Sequence, residues 1–205
     1  MNRGGIRAAY PAELSSLFSF TDSVHPLSNE AKDFFVQHVY FSSYARKEVI
    51  LQEREMCNDI YFIRKGVVRG LISEGQREIT TFFSKENEII TSVSSIESRK
   101  PSSQTFQAIE EVELFSMGLD ELQMLFRQFP EVNQLARKLL QHYFAEAEKI
   151  ALIARLKNAE SKYIFFQHHF KELASRLPLM YVASFLSVSN ETISRIRKKL
   201  SGINN

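Results

Sequence analysis

The chain predicts an α+β protein: short helices, an antiparallel β-roll, one long dimerisation helix, and a C-terminal helix-turn-helix with little or no wing. Three observations lead there. Between Ser42 and Met117 short β-like runs follow one another at close spacing, which antiparallel strands with tight turns require. From Glu131 to about Leu156 the chain runs without Gly or Pro, as a long helix needs. The segment LPLMYVASFLSVSNETISRIRKKL near the C-terminus carries two apolar-periodic stretches about a tight reversal.

From about Ala12 to Val39 the apolar spacing is helical, through Leu14, Leu17 and Phe18 and then Ala31, Phe34, Phe35 and Val39, with a break around Pro26. The β-like runs are Glu48 to Leu51, Asp59 to Arg64, Val67 to Ile72, Glu78 to Phe83, Glu88 to Thr91, Thr105 to Ala108 and Val112 to Ser116. Turn signals at Lys65-Gly66, Ser73-Glu74-Gly75 and Lys100-Pro101-Ser102 separate them. Asp120 to Phe129 reads as a short helix stopped by Pro130, and a further aromatic-rich helix spans about Ala159 to Ser175. Residues 1–129, 130–157 and 158–205 are accordingly expected as β-roll domain, connecting helix and helix-turn-helix domain.

Within the long helix Leu140, Tyr143, Ala147, Ile150 and Ala154 recur at alternating three- and four-residue spacing, the seam offered to a parallel partner. Two readings fit this stripe: a homodimer interface, or packing on the β domain. Leu135, Leu139 and Phe144 are the candidates for β-domain contact if the stripe pairs with a second copy.

In the C-terminal motif Val182, Leu186, Val188, Ile193 and Ile196 fall where two helices share a core, and Ala183 is the small residue at their crossing. Ser187 stands where Gly is usual in such turns. Ser189 is suited to N-cap the second helix, whose Ile193, Ile196 and Leu200 gather on one face. Glu191, Arg195 and Lys198 gather on the other. Arg bridges O6 and N7 of guanine, a carboxylate accepts from cytosine N4, and Asn190, Thr192 and Ser194 suit base edges or phosphates. Arg197, Lys198 and Lys199 add phosphate attraction. The expected partner is double-stranded DNA, and the bland alternative is an amphipathic helix with a solvated basic face. With five residues after Leu200, any wing is expected to be absent or minimal.

Charge supports the division of labour. Residues 1–129 carry 14 Lys+Arg against 18 Asp+Glu, and residues 130–205 carry 12 against 6, within a formal net charge of +2. The basic part holds the helix-turn-helix. Hydrophobic residues make up 44% of the 205, enough for a globular core, and no run reaches a membrane span. A cytoplasmic protein without membrane contact is expected. Cys57 is the single cysteine, which excludes an intrachain disulfide and a cysteine-ligated cluster, and it reads as a small buried residue. His25, His38 and His142 are haem ligands only by residue type, and adjacent His168 and His169 point about 100° apart on a helix. No cofactor and no metal are expected. No catalytic constellation stands out, so an enzyme is not expected.

A β-roll, a long helix and a C-terminal helix-turn-helix in this order resemble the Crp/Fnr superfamily of bacterial transcription regulators, across essentially the whole chain. The stretch Ile60-Tyr61-Phe62-Ile63-Arg64-Lys65-Gly66-Val67-Val68-Arg69 is similar to the strand-turn-strand of that family's cyclic-nucleotide-binding-like roll. Ser189-Asn190-Glu191-Thr192-Ile193-Ser194-Arg195 is similar to its recognition helix. The resemblance implies base contacts from Glu191 and Arg195, a homodimer on a pseudo-palindromic operator, and RNA polymerase as a partner. Asn190 replaces the Arg usual in readers of TGTGA-like half-sites, so a different target is implied.

The resemblance also marks a departure. Cyclic-nucleotide binders carry a Gly-Glu pair for ribose and phosphate and then an Arg followed by a small residue. In this register the positions are Thr91-Ser92 and Ser102-Ser103, and without carboxylate or guanidinium cyclic AMP is disfavoured. Arg99, with Lys100, is a candidate displaced anion clamp for an unknown small effector, against the alternative of a solvated loop. The Ser-rich run Thr91 to Ser95 is either a hydroxyl lining of that pocket or an exposed strand and turn. The rival function is a binding module of this fold that regulates a partner protein without touching DNA.

Overall fold

The computed structural model describes residues 6–203. Two compact units divide the chain: Met1–Gly70 with Phe83–Tyr143, and Leu71–Phe82 with Phe144–Asn205. The division falls inside the long helix and takes the tip of one hairpin with it, whereas the sequence suggested boundaries at the helix ends.

The first unit opens with strand β1 (Arg7–Ala8), a 3-10 turn (Pro11–Leu14), α1 (Ser15–Val24) and α2 (Asn29–His38). Ser28 N-caps α2, its hydroxyl oxygen accepting the Ala31 N–H at 3.2 Å. The same hydroxyl donates to Glu131 at 2.6 Å, and that hydrogen bond leads the causes holding the Glu131 carboxyl below its ordinary pKa.

The strands are β2 (Tyr40–Tyr44), β3 (Val49–Leu51), β4 (Asp59–Lys65), β5 (Val68–Glu74), β6 (Arg77–Ser84), β7 (Ile89–Ile90), β8 (Thr105–Ala108) and β9 (Val112–Gly118). They form a five-stranded sheet ordered β1-β2-β9-β4-β7 and a four-stranded sheet ordered β3-β8-β5-β6. Each β-like run expected from the sequence is present as a strand, within one or two residues at most ends. Gly66 sits at φ +95° in the β4–β5 turn, where an added Cβ would lie 2.3 Å from the Glu111 carbonyl oxygen, so the turn requires glycine.

Three elements of the first unit depart from the sequence reading. Tyr40–Tyr44 is a strand paired with β9 from Tyr40↔Ser116 to Tyr44↔Val112, although its run of aromatics and serines gave no clean period. Arg7–Ala8 is a two-residue edge strand on it, too short for any periodicity. The Ser-rich run enters a helix, α3 (Val93–Ser98), ended by Arg99 at φ +50°. Serine favours turns and caps over helix interiors, so propensity concealed that helix.

Helix α4 (Leu119–Gln128) leads into α5 (Pro130–Arg155). Proline opens α5 at a position that needs no N–H donor. Register places Ile60 opposite Met117 and Phe62 opposite Phe115, so these four side chains share one face of the sheet. Leu14, Leu17, Phe34, Leu125, Val132 and Leu135 join them in the core of the first unit. Leu135 and Leu139 thus serve the β domain, while Phe144 is 76% exposed and does not.

The second unit contains the remainder of α5 and then α6 (Ala159–His169), α7 (Lys171–Ala174), α8 (Leu179–Leu186) and α9 (Asn190–Ile203). The expected Ala159 to Ser175 helix is two helices, broken at Phe170, which leaves helical geometry at φ −120°. Its core is Ile153, Tyr163, Phe166, Leu173, Val182, Leu186, Ile193 and Ile196, all buried.

Candidate nucleic-acid interface

The turn between α8 and α9 is closed by its own backbone. Ser187 adopts the left-handed conformation, φ 55° and ψ 48°, where Gly usually stands, and its N–H donates to the Ser184 carbonyl at 3.1 Å. Val188 N–H donates to the Ala183 carbonyl at 3.0 Å. These bonds satisfy carbonyls that the end of α8 would otherwise leave open. The strain of a non-glycine residue there, about 1–2 kcal/mol, is carried by the packing of the two helices.

Ser189 then caps α9: its hydroxyl oxygen accepts the Thr192 N–H at 3.1 Å. The Glu191 carboxylate is held below its ordinary pKa, first by its own backbone N–H and then by the Ser189 hydroxyl, and is therefore ionised at neutral pH. A carboxylate in the first turn also suits the positive end of the helix dipole. Ile193 and Ile196 are buried with Val182, Ala183 and Leu186, while Val188 is half-buried. Ser189, Asn190, Glu191, Arg195, Arg197, Lys198 and Lys199 are exposed, and Thr192 and Ser194 are half-buried.

Helical geometry separates these exposed residues. Glu191, Arg195 and Lys198 lie within about 60° of one another around the axis. Burial raises the pKa of the Tyr163 phenol on α6, and the positive charge of Arg197 acts against that rise. Lys199 ion-pairs with Glu160 of α6 at 2.8 Å. Lys162 donates to the Leu186 carbonyl at 3.0 Å and so also fastens α6 to the end of α8. Sequence spacing could not show the last three arrangements, because each depends on how α6 packs.

Along α5 the expected seam residues do not share one environment. Leu140 is 68% exposed and Ala147 and Ala154 are exposed, but Tyr143 and Ile150 are half-buried. The Tyr143 hydroxyl accepts the Ile89 N–H, and burial, the leading cause, raises its pKa to about 12. The exposed apolar line instead runs Leu140, Phe144, Ala147, Ala151, Ala154, again with alternating four- and three-residue steps. Phe144 four residues after Leu140 was a readable signal for it.

The cyclic nucleotide-binding domain model matches residues 41–129. Over these residues the chain is similar to that domain family. No curated protein matches the chain in sequence. Among solved structures, CLP of Xanthomonas campestris, described as a c-di-GMP responsive global regulator, is 14% identical, with 86% of this chain and 93% of that chain covered at a TM-score of 0.69. FixK2 of Bradyrhizobium japonicum is 20% identical over 81% and 86%, TM-score 0.66. A protein of Eubacterium rectale assigned to the Crp/Fnr family of transcriptional regulators is 14% identical over 85% and 84%, TM-score 0.66. At such identities the likeness is one of fold, and the fold is that of Crp/Fnr regulators.

Within residues 41–129, the hydroxyls at the expected effector positions have internal partners. Ser92 is buried at the start of α3, bonded to the hydroxyls of Ser94 at 3.1 Å and Ser95 at 3.3 Å. Ser102 is buried, its hydroxyl donating to the Gln104 carbonyl at 2.8 Å. Thr91 donates to the Asp59 carbonyl at 3.0 Å. Cys57 is a free, buried thiol 3.7 Å from the Thr91 oxygen. Ser103 is exposed, and the Arg99 guanidinium lies 3.9 Å from the Asp120 carboxylate at the surface. A clamp built on Arg99 would therefore compete with a neighbouring carboxylate. Among the described residues no cluster of three or more His, Cys, Asp or Glu is arranged to hold a metal, and no helix is long and apolar enough to cross a membrane.

Proposed function

We propose that this chain is a sequence-specific DNA-binding transcription regulator that works as a cytoplasmic homodimer and does not respond to cyclic AMP. The observation that carries the reading is the outward face of α9: Glu191, Arg195 and Lys198 exposed together on an N-capped helix whose opposite face, Ile193 and Ile196, is buried. A helix so anchored meets the major groove with a fixed rotation, which base reading requires and phosphate attraction alone does not.

The dimer forms along the Leu140-Phe144-Ala147-Ala151 line of α5, and its two recognition helices enter successive major grooves of a pseudo-palindromic operator about 34–36 Å apart. Bound there, the protein acts on transcription through RNA polymerase. Cyclic AMP is disfavoured because Ser92 and Ser102 bring no charge to a ribose or phosphate, and the bonds their hydroxyls already make support this reading.

Sequencing the DNA fragments retained by purified protein tests the reading: one enriched two-fold symmetric motif, with binding that weakens steeply as salt rises, is the expected result. Retention without an enriched motif would overturn it. Isothermal titration with cyclic AMP tests the second clause, and a saturable micromolar isotherm would refute it.

A further inference from the structure

We infer that a cavity of about 100 Å3 in the first unit, between the outer face of the five-stranded sheet and the helices covering it, binds a small apolar molecule: a ring or alkyl chain of about six carbons. The inference stands apart from the reading of α9 and needs no DNA. It also lies outside the effector positions discussed above, since Ser92 and Ser102 are not at its wall.

The wall is built by strand register. Ile60, Phe62, Phe115 and Met117 project from one sheet face, and Leu125 and Leu139 close over them. Its two polar residues offer nothing inward. Thr21 donates its hydroxyl to the Phe18 carbonyl at 3.0 Å, and Ser116 alternates with Phe115 and Met117, placing its side chain on the other face of β9. A water molecule needs two to four polar partners, so water gains little in this half-open apolar pocket, and apolar cavities of similar lining take up benzene or xenon. A charged or hydroxyl-rich ligand would lose its hydration here without replacement. Phe62 is stacked on Phe115 with centroids 6.3 Å apart and tilted to Phe20 at 5.4 Å, which presents aromatic surface to an occupant.

The position of the cavity gives the site a purpose. Val132, Leu135 and Leu139 of α5 are part of its wall, and Ile89, also in the wall, donates its N–H to Tyr143 one turn further along α5. An occupant therefore touches the helix whose following residues expose Leu140 and Phe144. Native interiors contain few voids larger than a water molecule, and filling this one tightens α5 against the sheet.

The test uses toluene as probe and the full chain. The expected result is a saturable rise of the thermal midpoint, with nuclear Overhauser contacts from toluene ring protons to the Met117 methyl. Ala136→Phe, which fills the cavity from α5, should weaken toluene about tenfold or more while keeping the circular dichroism of the fold. Leu122→Phe fills it from α4 and serves the same purpose if the first variant does not fold. Absence of a saturable shift in the unmodified protein overturns the inference. Contacts that avoid Met117, or an unchanged affinity in the folded filled variant, overturn it equally.

Discussion

The Ser184 hydroxyl of α8 accepts the backbone N–H of Thr80 at 2.9 Å, and the same hydroxyl donates to the carbonyl of Glu78 at 3.0 Å. Residues 78 and 80 point the same way along β6, the edge strand of its sheet, so one serine side chain occupies a donor and an acceptor that an edge leaves open. This joins the tip of the β5–β6 hairpin to the first helix of the helix-turn-helix within the second unit. Ser184→Ala should destabilise that unit by about 1–3 kcal/mol and speed amide exchange at Thr80, with exchange at Ile89 unchanged. Equal protection at Thr80 in both proteins would dismiss the clasp.

The face of α9 makes a prediction about discrimination. Arg195→Ala should cost about 1–3 kcal/mol on the selected operator and relax preference at one guanine. Lys198→Ala should weaken operator and random DNA to similar degrees and lower the salt slope by about 1. Mobility shifts with both DNAs over a salt series measure this, and uniform losses from Arg195→Ala would remove its role in reading bases.

Exposure along α5 favours Phe144 over Tyr143 as the interface test. Phe144→Glu places a carboxylate where two copies would meet and should yield folded monomers with greatly weakened binding to a two-half-site operator. Sedimentation decides. An unmodified protein that is monomeric at micromolar concentration, alone and on DNA, would end the dimer proposal.

Tyr143 gives a pH dependence whose sign is fixed. Its folded pKa, about 12, lies above the ordinary 10 because burial disfavours phenolate, helped by the negative charge of Glu88 and opposed by the Ile89 N–H. The unfolded chain ionises first, so this contribution to stability is complete below pH 10 and lost as pH rises toward 12. Denaturant midpoints should fall over that interval more steeply in the unmodified protein than in Tyr143→Phe. Matching slopes would show that the phenol is not buried as described.

Several elements were legible because they depend on local periodicity. The short apolar runs within Asp59–Lys65 and Val112–Gly118, bounded by turn signals, marked strands, and the i, i+3, i+7 spacing of Ile193, Ile196 and Leu200 marked the inner and outer faces of α9. The Ser189 cap was equally readable, since a hydroxyl before an apolar-periodic run has a short-range partner in the first turn. Tyr40–Tyr44 was not readable, because its strand is defined by pairing with β9, far away in sequence.

What the sequence determined by itself is therefore the order of the main elements, the composition of the outer face of α9 and the lack of charge at Ser92 and Ser102. The tertiary structure alone decided that Phe144 faces outward while Tyr143 turns to Ile89, that Lys199 is held by Glu160, and that Ser184 closes the β6 edge. The physical reason is the range of the interactions. Periodicity and capping act within a turn or two, whereas a buried hydroxyl or ammonium takes its partner from whichever distant element packing brings within about 3 Å.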